Sequence, residues 1–205
     1  TGSVESPGGL YVVPLHLLIS GNISQSLQLI KGGVNEAPVL VDLNKDGTED
    51  IVAISDDRVT AIDGVTLDQL WNITSTSLFG KLQLLNSPTL AYFNDDDIPD
   101  LLFTHMVGSS YPEYYFSQTT VVEGRTGAPL LDQPMTSSAS VDIPGLTLSV
   151  SGQGNDFFLY WAAVCVGHEE TQQRFAFLNS TPIKQRAKAD LCKLRFNSTL
   201  DMRLY

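Results

Sequence analysis

The sequence is short of positive charge. It has 12 Lys and Arg against 23 Asp and Glu, which gives a formal net charge of -11 at pH 7. Such a surface repels the phosphates of nucleic acids, so we expect no nucleic-acid partner. The last segment, 183–205, is the basic exception, and we expect this tail to dock on the acidic remainder of the chain; a partner-binding or membrane-proximal tail is the alternative. Its basic residues are Lys184, Arg186, Lys188, Lys193, Arg195 and Arg203.

Long hydrophobic runs are also missing. The longest uninterrupted run is "FFLYWAAVCV", residues 157–166, whereas a transmembrane helix needs about 20 apolar residues. We therefore predict no transmembrane segment in this chain. Hydrophobic residues still make up 42% of the sequence, which is ordinary for a folded domain.

Cysteine is scarce, since Cys165 and Cys192 are the only two. A cysteine pair together with four Asn-x-Ser/Thr sequons favours an extracellular or cell-surface protein, because disulfides persist in that compartment. We predict a Cys165–Cys192 disulfide, with two buried free thiols as the alternative. The predicted glycosylation sites are Asn22, Asn72, Asn179 and Asn197.

An internal repeat indicates the architecture. The stretch "APVLVDLNKDGTEDIVAIS", residues 37–55, aligns with "SPTLAYFNDDDIPDLLFTH", residues 87–105. Each copy is followed by a second shared piece that contains Gly64 or Gly124. Weaker copies of this second piece occur at 15–28 and 146–166, and each predicts a strand, a tight turn and a returning strand.

The repeat unit predicts four short strands bounded by Asp, Gly and Asn, which in the first copy are "PVLVD", "DIVAIS", "RVTAID" and "DQLWNI". Four strands per repeat are typical of a β-propeller blade. We therefore predict an all-β protein with β-propeller blades of four antiparallel strands over residues 1–182, as part of a larger propeller. A sandwich is the structural alternative. Open strand edges would invite pairing with another chain that completes the propeller.

One short C-terminal helix is predicted in the basic tail, 183–205. Ser180 or Thr181 can cap it, and Pro182 suits its first turn. Cys192 would pin this helix to the propeller through Cys165.

The first copy of the repeat contains a candidate calcium loop. Asp42, Asn44, Asp46 and Asp50 occupy relative positions 1, 3, 5 and 9, and the Thr48 carbonyl would add a backbone oxygen. Hard oxygen ligands of this number suit Ca²⁺ better than Zn²⁺. The loop is not an EF-hand, because Ala53 stands where that loop needs Glu and strands flank it.

The pattern Asp-x-Asn-x-Asp-Gly-x-x-Asp between strands resembles the calcium loop of FG-GAP repeats, the blades of integrin α-subunit propellers. Over residues 35–135 the chain is similar to integrin-alpha FG-GAP repeat-containing membrane protein ectodomains. The resemblance implies a propeller in which calcium has a structural role. In the second copy, Tyr92 replaces Asp42 and Asp97 replaces Gly47. Its remaining oxygens predict a weaker second metal loop, with a solvated acidic turn as the alternative: Asn94, Asp96 and Asp100.

No G-x-S-x-G elbow and no phosphate-binding loop occur in the sequence, and we predict that the protein is not an enzyme. An aromatic insertion at 111–116 supplies candidates for partner binding, although strand packing is equally compatible with them: Tyr111, Tyr114, Tyr115 and Phe116. The sequence thus predicts a calcium-stabilised, glycosylated interaction or adhesion module of a cell-surface protein, with a protein partner. A carbohydrate-binding propeller and a propeller hydrolase or lyase are the alternatives.

Overall fold

The computed structural model describes residues 8–34, 36–55, 58–74, 83–84, 87–110, 113–139, 143–149, 155–172 and 191–205. Strands dominate these residues and their pairings are antiparallel, so the predicted all-β class is confirmed. The elements are β1 (Gly9–Val12), α1 (Leu15–Ile19), β2 (Leu27–Lys31), β3 (Val39–Val41), β4 (Asp50–Ser55), β5 (Arg58–Ile62), β6 (Gln69–Thr74), β7 (Gln83–Leu84), β8 (Thr89–Ala91), β9 (Asp100–Ser110), β10 (Glu113–Val122), β11 (Met135–Ser137), β12 (Leu146–Leu148), β13 (Phe157–Leu159), β14 (Trp161–Cys165), α2 (Leu191–Phe196) and β15 (Leu200–Leu204).

The first repeat folds into a four-stranded sheet in the order β3-β4-β5-β6. These strands match the four that the sequence predicts for this unit. Both faces of β4 are covered, because Val52 and Ile54 contact one hydrophobic cluster while Ala53 contacts another. This burial explains why the strand is an almost continuous apolar run rather than an alternating one.

The second repeat forms a larger sheet in which β9 and β10 make a long hairpin, with β11 beside β10 and both β7 and β8 beside β9. The hairpin is long because the second copy carries an insertion relative to the first, which extends both of its strands, to Ser110 and from Glu113.

The two sheets pack face to face around one core. Val52, Ile54 and Val59 of the first sheet share this core with Leu101 and Phe103 of the second. Trp71 of the first sheet also packs in this core and contacts the turn after β10 of the second sheet. Its indole Nε1 donates a 2.8 Å hydrogen bond to the carbonyl of Gly124, and its ring lies against Gly127, where even a methyl group would be too close.

A hairpin of β1 and β2 covers the other face of the first sheet, where Ile30 packs with Ala53 and Ile62. The prediction of a strand, turn and strand for residues 15–28 is wrong in its first half. Pro14 precedes this segment and its carbonyl accepts hydrogen bonds from the N–H groups of Leu17 and Leu18, which starts α1 instead. The second half is largely wrong as well, because a 3-10 helix occupies Ile23–Gln25 and only Leu27 and Gln28 lie in a strand, at the start of β2.

The C-terminal strands β14 and β15 form a separate two-stranded sheet beside the second sheet. The N–H of Ala139 donates to the carbonyl of Ala163 in β14, and β14 pairs with β15. The predicted disulfide between Cys165 and Cys192 is confirmed, with a Cα–Cα distance of 5.1 Å. It attaches α2 to β14. Residues 173–190, which include the first half of the predicted helix, lie outside the described residues.

The β1–β2 hairpin, the first sheet and the second sheet therefore stack in consecutive layers, while a closed propeller stays a prediction. Among the described residues, no helix combines the length and hydropathy needed to cross a bilayer.

The core of the second sheet contains a histidine that makes the stability of the fold depend on pH. His105 on β9 is fully buried, and its Nε2 lies 3.2 Å from Oε1 of Gln118. Burial lowers the pKa of His105 from 6.5 to about 4, although the hydrogen bond to Gln118 acts in the opposite direction. As the pH falls through this range the unfolded chain takes up a proton first, so stability is lost between about 6.5 and 4.

We expect the His105→Gln variant to lose less stability on acidification than the wild type, by up to ~3 kcal/mol between pH 7 and pH 4. Glutamine is neutral at both pH values and can still hydrogen-bond Gln118. Urea unfolding at a series of pH values measures the difference, with His16→Gln on α1 as the exposed control. Parallel pH profiles for wild type and His105→Gln would contradict this prediction.

Candidate metal centre

The first acidic loop connects β3 to β4 and is folded on its own backbone. Asp42 accepts hydrogen bonds from the N–H groups of Lys45 and Gly47, at 2.7 and 3.0 Å. Asn44 Oδ1 accepts from Asp46 N at 2.9 Å. Gly47 has a φ of 85°, which a residue with a side chain would resist. The alternating oxygens are thus held around a sharp turn.

Asp50 is the most buried residue of the predicted metal set. Its Oδ2 accepts from Leu43 N at 2.8 Å and its Oδ1 from Gly64 N at 2.9 Å. A Cβ atom at Gly64 would overlap the carbonyl of Glu49, so only glycine allows this approach. The carboxylate therefore joins the start of the loop to the turn after β5.

Asp63 lies in the turn after β5 and contacts this loop, a contact that the sequence analysis did not predict. Its Oδ2 accepts a 2.9 Å hydrogen bond from Nδ2 of Asn44. Its pKa lies below the ordinary value because the backbone N–H groups of Thr66 and Val65 stabilise the carboxylate, against an opposing effect of burial. The sequence contains a pattern that could have indicated this residue. An acidic residue directly precedes the glycine in both copies of the repeat, Asp63 before Gly64 and Glu123 before Gly124.

The donor set fits a hard cation in its chemistry. Asp42, Asn44 and Asp46 offer side-chain oxygens, and each carboxylate oxygen keeps acceptor capacity beyond one N–H. Asn44 is half-buried and Asp46 is exposed, so the tip is open to solvent. In the part of the chain that the structure describes, no three His, Cys, Asp or Glu side chains converge on one point. Calcium at Asp42, Asn44, Asp46, Thr48 and Asp50 stays a prediction.

The second acidic loop, between β8 and β9, repeats the arrangement seen at Asp50. In both, a buried carboxylate accepts N–H groups from its own loop and from a glycine in a later turn, and we call this arrangement the clip. Asp100 Oδ2 accepts from the N–H groups of Phe93 and Asn94, and its Oδ1 accepts from Gly124 N, each at 3.1 Å. Burial raises the pKa of Asp100 despite these hydrogen bonds. Asp97 adopts a φ of 57° at the place of Gly47, so the bend survives without glycine.

The two loops lie side by side. Lys45 of the first loop forms a 3.3 Å ion pair with Asp97 of the second. Both side chains are exposed, so this pair adds little stability. Asn94 and Asp96 form a similar local turn, with the N–H of Asp96 donating to Asn94 Oδ1. A metal at Asn94, Asp96 and Asp100 stays a prediction.

Three of the predicted glycosylation sites lie on the described surface. Asn22, Asn72 and Asn197 are exposed, which glycan attachment requires. Asn179 lies outside the described residues.

The aromatic insertion gives a mixed result. Tyr111 lies outside the described residues, and Tyr114 and Tyr115 are placed in β10 by their backbone. Phe116 is buried, at 9% exposure. For Phe116 this favours the strand-packing alternative over direct contact with a partner.

A cleft that the sequence did not indicate lies between the outer face of the second sheet and β13. Its volume is about 300 Å³. Leu102 and Val121 line one side, and aromatic rings line another. The full lining is Phe93, Leu102, Val121, Leu131, Met135, Asp156, Phe157, Phe158 and Tyr160.

No protein-family model matches this sequence, and no curated protein sequence matches it either. The resemblance to FG-GAP repeats therefore stays a prediction that depends on the loop motif and its repetition.

We expect Asp50→Ala to destabilise the fold by about 2–4 kcal/mol, because the buried N–H groups of Leu43 and Gly64 would lose their acceptor. The loss should appear in EGTA as well as in calcium, because both hydrogen bonds form without a metal. Urea unfolding in EGTA measures it, with Glu49→Ala as the exposed neighbouring control. Equal stability of the two variants in EGTA would rule out the clip.

Proposed function

We propose that this chain is an extracellular interaction module of a cell-surface protein, with stacked sheets braced by calcium at the first acidic loop. The Cys165–Cys192 disulfide and the exposed sequons at Asn22, Asn72 and Asn197 support an extracellular location.

The observation that carries the interaction role is an apolar face on the hairpin of β12 and β13. Leu148 pairs with Phe157 and Leu146 pairs with Leu159, so these side chains point to the same side. Leu146, Leu148 and Phe157 are 62%, 50% and 57% exposed. Neighbouring exposed apolar side chains on a strongly acidic protein mark a surface for partner binding.

A protein partner fits this face better than a carbohydrate does. Sugar hydroxyl groups need polar side chains around them, whereas Leu146, Leu148 and Phe157 offer hydrocarbon. The adjoining cleft contains one carboxylate, Asp156. A glycoside hydrolase would need a second one facing it.

Calcium would add electrostatic bracing to the hydrogen bonds of the first loop. Asp42 and Asp46 crowd negative charge into one turn, where a divalent cation would relieve their repulsion. Because Asn44 bonds Asp63, a cation here would also stiffen the turn after β5.

We expect calcium to raise the melting temperature of the wild-type protein, and Asp46→Ala to remove most of that rise, because the variant lacks a proposed ligand. Differential scanning calorimetry in calcium and in EGTA measures the shift. Asp96→Ala tests the second loop, and Asp68→Ala is the control outside both loops. If EGTA leaves the wild-type melting temperature unchanged, the calcium proposal fails.

We expect Leu148→Ser to reduce binding of the fluorescently labelled protein to intact cells about ten-fold or more, because it places a hydroxyl in the apolar face. Flow cytometry across a concentration series measures the binding. Leu18→Ser on the exposed α1 helix is the matched control. Wild-type and Leu148→Ser proteins that bind equally would remove the β12–β13 face from the proposal.

A further inference from the structure

The cleft beside β13 combines apolar walls with one nearly buried charge. Asp156 lines this cleft and is only 8% exposed. Its Oδ2 accepts a 3.1 Å hydrogen bond from Tyr92 N, and its own N–H donates to the Tyr92 carbonyl at 2.8 Å. The side chain is therefore held in place by the backbone of the second acidic loop.

The charge of Asp156 has no counterion in the described ranges of the chain, where no Lys or Arg lies within 4.0 Å of it. A carboxylate in apolar surroundings is unfavourable unless an opposite charge approaches it. The cleft is thus complementary to a ligand that brings a cation to this carboxylate.

The walls specify the rest of such a ligand. Phe93 and Phe158 stack with ring centroids 6.0 Å apart, and Phe157 and Tyr160 add further aromatic surface. Aromatic rings attract ammonium groups through their negative faces. The Tyr160 hydroxyl is engaged with Sδ of Met135 at 2.9 Å, which leaves a largely apolar lining for a hydrocarbon stem.

We propose that this cleft binds an alkylammonium group, with the cation at Asp156 and the stem along Leu102 and Val121. Two sources share this chemistry: a free small amine and a lysine side chain of a partner protein. Phe157 belongs both to the cleft and to the apolar face, so the inference rests on the proposed function. Small probes test this inference separately from the proposed function, because they bind the cleft whether or not a protein partner exists.

The test is an NMR titration of the full chain with three probes of equal length: n-pentylammonium, 1-pentanol and pentanoate. We expect n-pentylammonium to bind about ten-fold more tightly than 1-pentanol, which corresponds to ~1.4 kcal/mol, and pentanoate to bind least. A capped Gly-Lys-Gly peptide and its acetyl-lysine counterpart form the second arm. Tighter binding of the lysine peptide than of n-pentylammonium would identify a partner side chain; the reverse would identify a free amine.

The key variant is Asp156→Asn, which removes the charge and keeps an oxygen for Tyr92 N. It should weaken n-pentylammonium about ten-fold and leave 1-pentanol unchanged. Glu170→Gln makes the same charge change at an exposed site and should bind as the wild type does. Phe157→Ser alters the aromatic wall at a 57% exposed position, so it tests the cleft even where Asp156→Asn fails to fold. It should weaken n-pentylammonium as well.

Three results would overturn the inference. One is equal binding of n-pentylammonium and 1-pentanol, which would show an apolar cleft indifferent to charge. Another is a folded Asp156→Asn protein that binds n-pentylammonium as the wild type does. The third is the absence of binding by any probe.

Discussion

A buried carboxylate at the first residue of a strand is the interaction on which both acidic hairpins depend. Asp50 and Asp100 each accept N–H groups from the loop before them and from a glycine in the turn that follows the next strand. Loop, strand and turn are therefore tied at one point in each sheet. A buried charge is tolerated there because several N–H dipoles replace its lost hydration. Gly64 and Gly124 recur because a side chain would collide with the backbone of the loop.

The hydrogen bonds of Asp100 are also linked, through Gly124, to the packing of the two sheets. The Gly124 N–H bonds Asp100, while the Gly124 carbonyl accepts the indole N–H of Trp71 from the first sheet. One residue thus connects the clip of the second sheet to the apolar core that both sheets share. A cation at the first loop would act on a turn whose strands are already in register, so its effect on the fold is added bracing.

The local features were predictable because each depends on residues that are close in sequence. The four strands of the first repeat follow from apolar runs between Asp, Gly and Asn, and the bend at Gly47 follows from its freedom at positive φ. The strand, turn and strand predicted for residues 15–28 was wrong, because a glycine between two apolar stretches suits a helix end as well as a hairpin turn. Pro14 and the hydrogen bonds to its carbonyl select the helix here.

The sequence by itself determined the all-β class, the strands of the first repeat, the turn of the acidic loop and a cysteine pair able to bridge. Tertiary structure decided which groups far apart in the chain meet. Asp156 reaches Tyr92 across 64 positions, Asn44 reaches Asp63 across 19, and the cleft forms where β13 lies over the second sheet. These long-range contacts depend on how the sheets pack. Packing depends on many weak contacts between distant residues, which no short stretch of sequence contains.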